Sequence, residues 1–141
     1  RAHVVAQRSA WAADRSRIYT WTTLQVTDRI KGNAAQTLTL RQIGGVAEGM
    51  AQAVPGDGHL RVGEEVVLLL HVEGENVFLF SLAQSVYHVD LRTQTAQRDL
   101  HELSFATWEN GHMSVKEATA EPPVLLATLV RQLRTLAGGA R

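Results

Sequence analysis

The chain has 141 residues, 45% of them hydrophobic, with 14 basic and 14 acidic side chains. This composition is typical of a globular protein with its own core, so we expect residues 1–141 to form a single domain. A formal net charge of zero disfavours nucleic-acid binding, which normally needs a basic excess. The lack of cysteine excludes disulfides, thiolate catalysis and cysteine-ligated zinc.

Strand-type segments dominate the first two thirds of the chain. Alternating or β-branched runs between turn residues predict strands at His3–Trp11, Ile18–Ile30, Thr37–Ile43, Glu65–Val72, Asn76–Leu82 and Val86–Leu91. In the second strand, Ile18 and Leu24 share the face that we expect to point into the core. Tyr19 and Trp21 therefore lie on the opposite face, which we expect to be exposed.

The segment Gly44–His59 is predicted to be a long irregular loop. Loops of this length within a compact domain are often functional. The loop carries Val46, Met50 and Val54, and exposed apolar groups on a loop favour a protein or a hydrophobic ligand as partner. The alternative is that these side chains pack against the body of the domain.

A hairpin is predicted around Gly74 and Glu75. A two-residue turn at these positions would place Val72 opposite Val77 and His71 opposite Phe78. Both faces of the hairpin are apolar, which indicates central strands covered on two sides, as in a curled barrel or a sheet capped by a helix.

The last third of the chain is less regular until its end. Residues 92–121 are polar and weakly periodic, and we interpret them as a hairpin or an extended excursion. Residues 122–138 are predicted to form an amphipathic helix with two prolines in its first turn. Its apolar positions recur at helical spacing, at Leu126, Leu129, Val130, Leu133 and Leu136. This stripe must be buried on the barrel, on a second copy, or on another protein.

Few residues could support chemistry. His71 lies near the hairpin tip, and His88 and Asp90 share one face of a strand, so these three are the candidate metal ligands. No HExxH or comparable spacing accompanies them, and no GxSxG motif is present. We therefore predict no metal, no cofactor and no catalytic residues.

Three stretches carry a family resemblance: "IYTWTTLQVTDRIKG", "TLTLRQ" and "LRVGEEVVLLL". With the hairpin that follows, they resemble the netrin-module or TIMP-like OB barrels, and equally uncharacterised exported bacterial domains. The resemblance covers residues 1–91 and implies an OB-like fold and an exported location. TIMP-like inhibitors act through an N-terminal cysteine that chelates a protease metal. Since this chain has no cysteine, no functional residue carries over.

These observations predict a mainly β domain, with a small OB-like barrel over residues 1–91 and a C-terminal amphipathic α-helix. A β-sandwich is the alternative fold.

We predict a non-catalytic, exported binding or assembly module whose partner is another protein, acting through Tyr19, Trp21 and the loop. A metal-dependent enzyme and a single-strand nucleic-acid-binding OB domain are the alternatives. Self-association through the helix is a further option. The longest apolar run, Val66–Leu70, is too short for a membrane span, so none is predicted.

Overall fold

The computed structural model describes residues 1–139. Strands make up 47% of the structure, and within residues 1–139 one α-helix follows them, so the prediction of a mainly β domain with a C-terminal helix is confirmed. The elements are β1 (Ala2–Trp11), β2 (Ile18–Val26), β3 (Thr37–Ile43), β4 (Gly45–Ala47), β5 (Met50–Gln52), β6 (Glu65–Leu68), β7 (Leu70–Glu73), β8 (Asn76–Leu79), a 3-10 helix (Leu82–Ser85), β9 (Val86–Asp90), β10 (Thr95–Gln97), β11 (Ser104–Glu109), β12 (His112–Glu117), β13 (Val124–Leu125) and α1 (Leu126–Gly139).

Nine strands form the main sheet, in the order β13-β10-β9-β6-β1-β2-β3-β8-β7. All neighbours are antiparallel except β3 and β8, which pair in parallel at Leu40 and Val77. β6 and β7 are separated by Leu69 alone, whose N–H donates to Ser85 and whose carbonyl accepts from Phe80. The sheet is not closed by a continuous ladder, so the OB-like barrel stays a prediction.

The core lies on the inner side of the curled sheet. Ile18, Thr22 and Leu24 of β2 are fully buried, as the alternation predicted. The main cluster of buried side chains comprises Ala2, Val4, Leu24, Leu40, Leu60, Val66, Val77 and Val86.

A second core lies between the sheet and α1. Leu126 and Leu129 pack there with Val67 and Ala96. Val66 and Val67 are adjacent and belong to different clusters, so β6 is covered on both faces. The apolar stripe of the helix is thus covered in part by the sheet of the same chain. The helix described within residues 1–139 lacks the length and apolar character of a membrane-spanning segment.

Two segments differ from the prediction because of local backbone pairing. The predicted irregular loop is wrong at residues 45–52, where β4 and β5 form a hairpin. Its turn residues Glu48 and Gly49 have φ of 51° and 77°, as a type I′ turn requires. The helix begins at Leu126, later than predicted, because Val124 and Leu125 pair with β10.

The hairpin of β7 and β8 has the register that the turn residues predicted. Val72 pairs with Val77, and His71 pairs with Phe78. β2 ends at Val26, short of the predicted Ile30, and residues 27–36 connect it to β3. Part of this connection forms one wall of an apolar groove beside α1.

Candidate functional site

Tyr19 and Trp21 lie on the outer face of β2, where they were predicted, but arginines cover them. The Arg8 guanidinium lies 4.3 Å from the centroid of the Trp21 ring, and that of Arg41 lies 5.1 Å from the Tyr19 ring. Arg41 also stacks on Phe78 at 5.0 Å. Both predicted rings are half-buried in consequence. Such pairs stabilise a sheet surface by about 0.5–1 kcal/mol each.

Val46 and Met50 lie on the β4–β5 hairpin and are 65% and 58% exposed, whereas Val54 is half-buried. A Cβ at Gly45 would lie 2.3 Å from Oγ1 of Thr20, so β4 crosses the inner face of β2 where only glycine fits. Trp21 neighbours Thr20 and points to the other face. The structure therefore does not bring the two predicted binding groups together.

Two of the candidate metal ligands, His88 and Asp90, have other hydrogen-bonding partners, and the third, His71, lies on a different strand. Nδ1 of His88 lies 2.9 Å from Oε2 of Glu64. Oδ1 of Asp90 accepts hydrogen bonds from the backbone N–H groups of Arg92 and Thr93, which lower the pKa of Asp90. His71 is exposed on β7. Within residues 1–139, no group of three His, Asp or Glu side chains could hold a metal ion.

His88 and Asp90 do line one open cleft of about 770 Å³, together with Asp99 and His101. Asp99 and His101 are hydrogen-bonded to each other, which lowers the pKa of Asp99 and raises that of His101. Burial alone would raise the pKa of Glu64, but the hydrogen bonds from His88 and the Arg61 N–H hold it below its usual value. These pairs satisfy each other and present no activated nucleophile.

The projecting ribbon is a second exposed surface. We use this name for β11 and β12 with their turn, residues 104–117, which form a two-stranded sheet of their own. Trp108 pairs with Met113, and Ala106 with Val115, so these four side chains share one face. Trp108 is 74% exposed, Met113 60% and Val115 62%.

The turn of the ribbon has a clear signal in the sequence, although residues 92–121 were predicted only as a hairpin or an extended excursion. Asn110 and Gly111 occupy this turn with φ of 52° and 79°. Asn-Gly between alternating residues is the strongest short-range sign of a hairpin. The polar residues of the other face masked this alternation.

An apolar groove of about 1030 Å³ lies between α1, the consecutive strands β6 and β7, and the connection 27–36. Its apolar walls include Leu68, Leu70, Val72, Phe80, Leu133 and Leu136. Sequence reasoning did not find this groove because its walls come from elements far apart in the chain. The helix is tied there by Arg134, whose Nη2 lies 2.8 Å from both carboxylate oxygens of Asp28.

Comparisons with known proteins found no matching family model, no curated protein and no solved structure similar to this chain. The netrin-module or TIMP-like resemblance therefore stays a prediction. The candidate surfaces rest on the geometry of this chain alone.

Proposed function

We propose that the chain is a non-catalytic binding module that recognises another protein through the ribbon. The observation that carries this proposal is the exposed apolar face of Trp108, Met113 and Val115. Contiguous apolar patches on a soluble domain mark interaction sites. Tryptophan and methionine are both enriched in protein interfaces, and tryptophan is frequent among the residues that dominate binding energy.

The isolation of the ribbon supports the same proposal. Within residues 1–139, β11 and β12 pair only with each other. At their base, the N–H of Ala118 donates to the carbonyl of Leu103. A lone two-stranded sheet is marginally stable in water. A partner that covers the apolar face would stabilise the ribbon, which gives a physical reason for binding there.

The partner that fits best is a protein segment in extended conformation. Both outer edges of the ribbon are free of strand pairing in the part of the chain described, and an added strand would gain main-chain hydrogen bonds at either edge. The apolar face is small beside the roughly 800 Å² per partner of a standard interface. The ribbon carries side chains of both charge signs, such as Glu109 and Lys116, so charge does not favour a partner of one sign. Apolar contacts and strand pairing would therefore select the partner.

Site-specific photo-crosslinking in the source cells, with the full-length protein, tests this proposal. A photoreactive side chain replaces Val115 on the apolar face or its neighbour Lys116 on the opposite face, which is the matched control. We expect one protein to crosslink from position 115 and not from position 116. That protein, once purified, should bind the Trp108→Ala variant at least tenfold more weakly than the unaltered chain.

Two outcomes would overturn the proposal. Equal crosslinking from both positions would mean that the apolar face is not the recognition surface. Crosslinks only between copies of this chain would replace a foreign partner with self-association, which sedimentation of the purified protein would then show.

An exported location is part of the proposal and is supported by the family resemblance. Fractionation of the tagged full-length protein tests it, and recovery only from the cytosol would contradict it. The metal-dependent and nucleic-acid alternatives gain no support from the contacts of their candidate residues. Nδ1 of His88 contacts Glu64, and Asp90 accepts hydrogen bonds from backbone amides. Arg8 covers the Trp21 ring, on which a base would have to stack.

A further inference from the structure

The groove beside α1 has the size and lining of a small-molecule site. Its volume of about 1030 Å³ is comparable with the roughly 300–1,000 Å³ of typical ligand pockets. The C-terminal half of the helix contributes Leu133 and Leu136, and the strands β6 and β7 contribute Leu68 to Val72. Such a concave, mainly apolar surface is suited to a ligand with a long hydrocarbon part.

Large apolar side chains remain exposed along this groove. Val72 is 62% exposed, Phe80 71% and Leu136 72%. All three line the same concavity, although they come from β7, the residue after β8, and α1. An apolar ligand would remove these surfaces from water together, which is favourable in proportion to the area covered.

Two cations line one wall of the groove. Arg29 and Lys31 both lie on the connection 27–36, and neither forms an ion pair within residues 1–139. The Nε of Arg29 donates to the carbonyl of Ala34 at 2.6 Å, which anchors the side chain in this connection. The nearby carboxylate of Asp28 is already bonded to Arg134. Two further charged residues line the groove: Arg1, which is bonded to Glu65, and Glu75, on the turn between β7 and β8. The wall formed by Arg29 and Lys31 is therefore open to an anionic group.

We infer that the groove binds a fatty acid of about 8 to 14 carbons, with its carboxylate at Lys31 and Arg29 and its chain along the apolar walls. The charge complementarity selects an anionic head, and the exposed leucine, valine and phenylalanine side chains select a hydrocarbon chain. This inference does not rest on the ribbon, because the two surfaces share no residue.

Calorimetric titration of the full chain with saturated carboxylates of 8 to 14 carbons, below their micellar concentrations, tests the inference. We expect saturable binding that tightens about tenfold for each two methylenes added. Leu136→Asp should weaken binding at least tenfold. Leu125→Asp is the matched control, since Leu125 is 62% exposed but lies outside the groove, and it should bind as the unaltered chain does.

The head group is tested separately. Lys31→Glu should weaken binding of dodecanoate and leave binding of dodecanol unchanged, because only the carboxylate meets the cations. The inference is overturned by a lack of saturable binding, by affinity independent of chain length, or by a Leu136→Asp variant that binds normally. Tight association with phosphatidylglycerol vesicles that dodecanoate does not displace would also overturn it in favour of a membrane surface.

Discussion

The main sheet and the ribbon are both made of alternating strands, but the apolar side chains are buried in the main sheet and exposed on the ribbon. In β2, Ile18 and Leu24 are fully buried, whereas Trp108 of the ribbon is 74% exposed. β2 has a strand on each side, and its Leu24 packs in the main core with residues of other strands, such as Val66 and Val77. Each ribbon strand has only its hairpin partner. An alternating strand thus specifies an apolar face, and its neighbours decide whether that face is a core or a binding surface.

The two regions should differ most in the free energy of unfolding that is lost when one apolar side chain is shortened in each. Leu24→Ala in the core should lower the free energy of unfolding by about 2–5 kcal/mol, because it removes buried contacts and leaves a cavity. Val115→Ala on the ribbon should change it by less than about 0.5 kcal/mol. Urea unfolding of both variants measures the contrast, and equal losses would show that the ribbon face is covered.

A smaller effect is expected at Glu64, where the main sheet binds the loop before β6. Since the folded pKa of Glu64 is lowered, its contribution is complete above the ordinary value of 4.5 and is lost as the pH falls through the folded pKa. Glu64→Gln should cost about 1 kcal/mol at pH 6, and this difference should shrink at pH 3.

Unfolding curves of the Glu64→Gln variant and the unaltered chain at both pH values measure this difference. Glu117→Gln on the exposed ribbon is the control, and it should cost nothing measurable at either pH. A loss at Glu64 that is the same at pH 3 and pH 6 would mean that its charge does not stabilise the fold.

The ion pair of Arg134 on α1 with Asp28 on the connection 27–36 should contribute less, because both side chains are partly exposed. Arg134→Gln removes the contact with Asp28 and should lower stability by no more than about 1 kcal/mol. High salt should reduce the difference between the variant and the unaltered chain, since screening weakens an exposed ion pair. A loss that salt does not change would indicate a packing role for the arginine stem instead.

The smallest effect on stability is expected at the tip of the ribbon, where binding should respond most. Trp108→Ser should shift the melting temperature by less than the error of the measurement, because the side chain has few neighbours to lose. Thermal unfolding followed by circular dichroism checks this. A clear fall in melting temperature would show that Trp108 packs on its own domain, and would weaken the proposed binding role.

Local patterns predicted the elements that depend on near neighbours in the chain. The alternation of β2 identified its buried face, and the turn at Gly74 and Glu75 predicted the pairing of Val72 with Val77. The helical spacing of Leu126 and Leu129 predicted the stripe that packs on the sheet. Each of these depends on side-chain period or turn geometry, which a few consecutive residues determine.

The candidate sites were harder to predict because they depend on which elements become neighbours. The predicted binding residues Trp21 and Met50 lie on different sides of the sheet, and Arg8 covers the former. No local pattern places Phe80 beside Leu136, yet both line the groove. Contacts between distant segments follow from the order of strands, which no short motif encodes.

The sequence by itself determined that this chain is mainly β, that its last segment is an amphipathic helix, and which face of β2 is apolar. These follow from periodicity, because a strand repeats every two residues and a helix every 3.6. Only the tertiary structure decided that the face of Trp108 stays open and that the groove has a cationic wall. Exposure is set by what packs against a face, and packing is a property of the whole chain.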